Sequence, residues 1–187
     1  MRGESVSSGE TLIWPWWQRG LHWALAVAVL TALLTHEGGR VHEWLGYVAL
    51  AVALARVGLG FAGPGSLRFA AFVRGPRATL AYARQAWHGA EPRHLNHNPL
   101  GGWMVVALLL LSLLGAGSGA LYVTDRFWGD AGVIAVHAVA CWALLPLAAL
   151  HLAGVIHASR RHHENLVAAM WHGRKREPAS PPPASPP

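Results

Sequence analysis

Four stretches of this chain are apolar over nearly the length a helix needs to cross a bilayer: about Trp14–Thr35, Val41–Ala62, Leu100–Val123 and Ala131–Ala158. Crossing the hydrocarbon core takes roughly 20 helical residues. In lipid every backbone N–H and C=O must be bonded within its own segment, so such stretches have to be helices. The expected fold class is an all-α membrane protein, a four-helix transmembrane bundle. Composition agrees, with 53% of residues apolar and 13% charged. The first stretch could serve as the core of a secretory signal. No small-residue cleavage motif follows it, and Glu37-Gly38-Gly39-Arg40 leads almost at once into the second stretch. We read it as a retained helix, with Pro15 in its first turn.

Basic residues set the orientation. Arg2 and Arg19 precede or open the first stretch. Arg68, Arg74, Arg77, Arg84 and Arg93 lie in the connection between the second and third, and Arg160, Arg161, Arg174, Lys175 and Arg176 follow the fourth. The two short connections hold only Arg40 and Arg126. By the positive-inside rule both termini face the cytoplasm. The net charge of +6 follows from this arrangement and calls for no nucleic acid.

Three parts are expected: an N-terminal cytoplasmic segment 1–13, a four-helix transmembrane domain 14–175, and a disordered Pro-rich tail 176–187. Within the long connection, Pro76–His88 has the pattern of a short surface helix. Asn98-Pro99 supplies a cap and first turn for the third stretch. Gly115, Gly117 and Gly119 suit close helix packing.

Polar groups at membrane depth are costly and usually face the bundle interior. Twelve histidines are present. His88, His94, His97, His162, His163 and His172 fall in connections or the tail, where the solvated reading is the ordinary one, and His157 fits an interface. His137 and His151, fourteen apart, return to within about 40° of one helical face and stand roughly 21 Å apart along the axis. His22 matches His151 in depth, and His42 matches His137. Two stacked imidazole pairs result, one near each membrane face. Bis-imidazole ligation is what six-coordinate b-type haem requires, and two haems in line give an electron a path through the bilayer. Gly46, one turn after His42, leaves room for a flat ring. Arg56, fourteen residues after His42, lies near the inner pair, where it could neutralise a haem propionate or a quinone oxygen. His36 stands fourteen residues after His22 and rivals His42 as the outer partner. It adjoins Glu37-Gly38-Gly39, where the first helix should have ended, but spacing alone does not reject it.

"RGLHW", "HEWLGY", "RVGLGFAGP", "HNPLGG", the His137/His151 pair and "HHENLVAAMWHGRK" together resemble the bacterial diheme cytochrome b family. That family includes the b-type cytochrome subunits of membrane-bound nickel–iron hydrogenases and formate dehydrogenases. The likeness covers about Trp14 to Lys175. It implies His22 with His151 and His42 with His137 as axial ligands of two haem b groups in a bacterial inner membrane. It also implies electron exchange between a redox partner protein and the quinone pool, with His97, Asn98 and Arg56 as candidates near the inner haem. The short outer connection, Thr124 to Asp130, departs from a dedicated hydrogenase or dehydrogenase docking surface and suits a small soluble c-type cytochrome. The competing reading is an intramembrane zinc-binding transporter or hydrolase. Zinc catalysis commonly takes three protein ligands around one ion, whereas these histidines separate into two distant pairs. A third reading is a helical scaffold whose histidines only bond neighbouring helices.

Overall fold

The computed structural model describes residues 10–94 and 96–176. All of the expected Pro-rich tail except Arg176 lies outside the described residues, as does most of the segment before the first helix.

Local signals place the helix ends. The first helix, α1 (Trp16–Leu34), follows Pro15, whose backbone is extended. Pro15 therefore precedes the helix instead of occupying its first turn, and its carbonyl accepts from the amides of Gln18 and Arg19. At the other end Thr35 Oγ1 donates to the carbonyls of Thr31 and Ala32. Gly38 and Gly39, both at φ +92°, then turn the chain into α2 (Arg40–Ala62), a backbone that side chains with a Cβ rarely adopt. A 3₁₀ turn (Gly65–Leu67) and the short helix α3 (Phe69–Phe72) lead to α4 (Pro76–Trp87), which matches the expected surface helix. Asn98 Oδ1 accepts from Gly101 N and caps α5 (Pro99–Tyr122). Asp130 Oδ1 accepts from Val133 N and caps α6 (Ala131–Arg161), which continues through Pro146. After α7 (Leu166–His172), strand β2 (Arg174–Arg176) pairs antiparallel with β1 (Glu10–Leu12), Thr11 opposite Lys175.

Among the described residues three helices, α2, α5 and α6, are long and apolar enough to cross a membrane. The polar residues Gln18, Arg19 and His22 fall in the first two turns of α1, which does not join them by that measure. The architecture is all-α apart from the short ribbon, and it is that of a membrane protein.

Packing runs in a chain: α1 against α2, α2 against α5, α5 against α6. Small residues, Ala28, Ala49, Ala53, Gly115 and Ala140, are buried on these helices beside Leu109 and Leu144, and they let helix backbones approach where lipid offers no hydrophobic drive to associate. Larger side chains are buried where the termini meet. Leu67 and Phe72 are the largest fully enclosed, with Trp14 and Tyr82 nearly so. Among the long helices α6 packs closely only on α5, so it stands off from α1 and α2.

Candidate functional site

The space between α6 and the α1–α2 pair is bridged at two levels by histidines. At the end that carries the termini, His22 of α1 faces His151 of α6 with ring centroids 6.4 Å apart. At the far end His42 of α2 faces His137 of α6 at 5.8 Å. A metal bonded about 2 Å from each of two opposed imidazole nitrogens holds the ring centroids roughly 6 Å apart. Both separations fit one metal between each pair.

Second contacts fix the far-end rings. His42 Nδ1 lies 3.1 Å from the carbonyl of Ala32, a last-turn carbonyl of α1 that also accepts from Thr35. His137 Nδ1 lies 2.8 Å from the carbonyl of Gly115 on α5. A carbonyl only accepts, so in each bond Nδ1 donates, which turns Nε2 away from the carbonyl as the nitrogen available for a metal. This is the arrangement found in metal-ligating histidines. The His137 ring lies against Gly119, where an added Cβ would come within 2.9 Å of it. A Cβ on Gly46 would meet nothing within 4 Å. A flat macrocycle has room there. Cys141 Sγ lies 3.7 Å from His137 Nε2, a neighbour that the sequence reading did not pick out.

His36 is brought elsewhere. Its ring meets Trp142 at 6.3 Å, edge-on, and Trp142 is itself exposed.

Arg56 is enclosed by the connection after α2. Its Nη1 donates to the Leu67 carbonyl at 3.3 Å, and its guanidinium lies 5.8 Å and 5.9 Å from the ring centroids of Phe69 and Phe72.

The sequence treats His97 as a connection histidine, solvated by default. The structure corrects this: its ring stacks 4.9 Å from Phe72 and 6.3 Å from Trp14, and its Nδ1 is buried without a hydrogen-bond partner. Burial, helped by the positive charges of Arg56 and Lys175, lowers its pKa to about 4, so the ring is neutral. His94 resembles it, with Nε2 enclosed and its pKa lowered first by burial. Gln18 Oε1 and Trp23 Nε1 are likewise buried and unpartnered. Orphaned polar atoms of this kind cost roughly 1–3 kcal/mol each unless something bonds them. They concentrate at the His22–His151 end. The sequence marks His97 as a candidate but not its burial, because its enclosure depends on Phe72 and Trp14 from distant segments.

Among the described residues no three His, Cys, Asp or Glu side chains converge on a single metal position. The donors come in twos. The fold and site together define an all-α membrane protein with paired histidines facing across a helix gap. The family model for prokaryotic cytochrome b561 matches residues 13–173, and the chain belongs to that family. It is a b-type cytochrome of the membrane, which carries electrons by b haem. Neither the search of curated proteins nor the search of solved structures returned a match.

Proposed function

We propose that the chain carries electrons across the bacterial inner membrane through two b haems and links a redox partner protein to the quinone pool. Residues 14–175 form its four-helix transmembrane domain, with α1 as the fourth span and both termini in the cytoplasm. His22 with His151 would hold the inner haem, and His42 with His137 the outer one. The observation that carries this reading is the double pairing itself: two imidazoles fourteen residues apart on α6, each facing a histidine of α1 or α2 at a separation suited to one iron. When bound, haem supplies one-electron chemistry, and its potential is tuned by its axial ligands and surroundings.

The residues of the chain supply position and electrostatics. The bonds from His42 and His137 to backbone carbonyls orient the rings and raise their basicity as ligands. Arg56 brings a fixed positive charge to the inner level, suited to a propionate or to a quinone oxygen. His97, buried with a free Nδ1, and Asn98 beside it are the further candidates for contact with a quinone headgroup. Moving one electron across the whole membrane against a 100 mV potential takes about 2.3 kcal/mol, part of which a difference in potential between the two levels can offset. At the outer end the turns are short, Gly38–Gly39 and Thr124–Asp130. They suit docking of a small c-type cytochrome better than a large hydrogenase or dehydrogenase subunit.

The test is haem quantitation with a reduced-minus-oxidised spectrum of the purified protein. Two b haems per chain are expected, with one lost in His137→Ala and the other in His151→Ala. A colourless protein that binds zinc stoichiometrically would overturn the reading.

A further inference from the structure

An open groove lies away from the histidine pairs, at the C-terminal end of α6. It measures about 680 Å³ and is lined by Ala153, Ile156, His157, Arg160, Arg161 and His163. A smaller hollow of about 390 Å³ adjoins it and shares Ile156, Arg160 and His163. The lining changes character along the helix. Ala153 and Ile156 are apolar and exposed, and within two turns, about 10 Å, the groove becomes entirely basic. That distance matches the depth over which an interface passes from acyl chain to headgroup.

The charges of the lining are not equally engaged. Glu91 lies 3.5 Å from Arg161 and 3.7 Å from His157, and Arg161 also donates to the Gly89 carbonyl. Glu164, at the edge of the smaller hollow, is paired with Arg93. The Arg160 guanidinium makes no hydrogen bond or ion pair with any described residue; its backbone carbonyl accepts from the turn that ends α6. His163 closes the groove from a left-handed backbone at φ +51°, a conformation that a non-glycine residue adopts at some cost and that tends to mark functional positions. The turn thus holds a second basic side chain beside a free guanidinium, at the mouth of an apolar channel.

We propose that this groove binds one anionic phospholipid, with its phosphate on Arg160 and His163 and an acyl chain along Ala153 and Ile156. The argument needs only that α6 spans the membrane, so it stands apart from the haem assignment. Charge complementarity selects the headgroup: a guanidinium and an imidazole that no carboxylate among the described residues neutralises suit a phosphodiester of net negative charge. The apolar half of the channel selects a lipid over a free ion.

Native mass spectrometry of the haem-loaded protein, released from detergent after titration with phosphatidylglycerol or phosphatidylcholine, tests this. One phosphatidylglycerol per chain should be retained under conditions that strip phosphatidylcholine. Arg160→Gln should weaken retention at least 5-fold and Arg160→Gln with His163→Gln should abolish it. Ala153→Trp, which fills the channel on an exposed face without touching charge, should do the same. Arg84→Gln, an equal loss of charge on α4, should retain the lipid, and millimolar inorganic phosphate should not displace it. An unchanged Soret band would show that each variant is folded. The proposal is overturned if the Arg160 variants retain the lipid as the wild type does, or if Arg84→Gln loses it as readily. It is equally overturned if phosphatidylcholine is held as tightly, if free phosphate displaces the lipid, or if Ala153→Trp leaves retention intact.

Discussion

His42 and His137 face each other across the gap between α2 and α6 with ring centroids 5.8 Å apart, and each is anchored at Nδ1 by a backbone carbonyl from a different helix, Ala32 of α1 and Gly115 of α5. The pair is thereby positioned by four helices. A change in any of them should register there.

The choice between His42 and His36 is open to direct measurement. His42→Ala is expected to lose one of two haems, read by haem content per chain, while His36→Ala keeps both. The His36 ring meets Trp142, an exposed residue of α6, at 6.3 Å. Retention of both haems by His42→Ala would show that the outer partner lies elsewhere.

Gly119 separates packing from ligation. A methyl group there would come within 2.9 Å of the His137 ring, so Gly119→Ala should displace the ring or part α5 from α6, at about 1–3 kcal/mol. Haem content at the outer level should fall with it. Gly117→Ala, where an added Cβ meets nothing within 4 Å, should be neutral in both thermal midpoint and spectrum. Equal behaviour of the two variants would refute the close-contact account.

Arg56 sits between two phenylalanine rings near the inner level. Arg56→Gln removes a charge and should lower the midpoint potential of the inner haem by roughly tens of millivolts, with the outer haem unmoved. Arg56→Lys should keep most of the potential but loosen the Leu67 contact, since a point charge does not replace a planar fork. A redox titration that gives two unshifted midpoints in Arg56→Gln would confine the residue to tethering the connection after α2.

His97 predicts an acid sensitivity with a defined window. Its pKa is about 4 when folded against 6.5 for an ordinary histidine, so between those values the unfolded chain binds the extra proton and the folded one does not. Its contribution is complete above about pH 6.5 and is lost as pH falls toward 4, up to about 3 kcal/mol. Thermal midpoints of His97→Phe should fall less steeply than wild type over that window. Parallel curves would mean that the ring is solvated after all.

Much of this was legible in the sequence because it is locally coded. Asn98 and Asp130 cap helices by bonding amides three residues on, and Pro76 opens α4. The fourteen-residue interval puts His137 and His151 on one side of α6 through helical periodicity alone, and matching depth does the rest. The β1–β2 ribbon was not legible, because nothing in Glu10–Leu12 announces a partner more than 160 residues away. The enclosure of His97, the aromatic flanks of Arg56 and the nearness of Cys141 to His137 Nε2 likewise depend on which segments meet in space. Residue type and spacing do not carry that information.

The ribbon also orders how the molecule is made. Arg174–Arg176 leave the ribosome after every membrane helix, and they then clasp Glu10–Leu12, with Lys175 folded over the Trp14 ring. The His42–His137 pair needs no more of α6 than its first two turns, whereas the end that carries His22 and His151 is clasped only when the two chain ends join. Maturation should therefore proceed from the His42–His137 level toward the His22–His151 level.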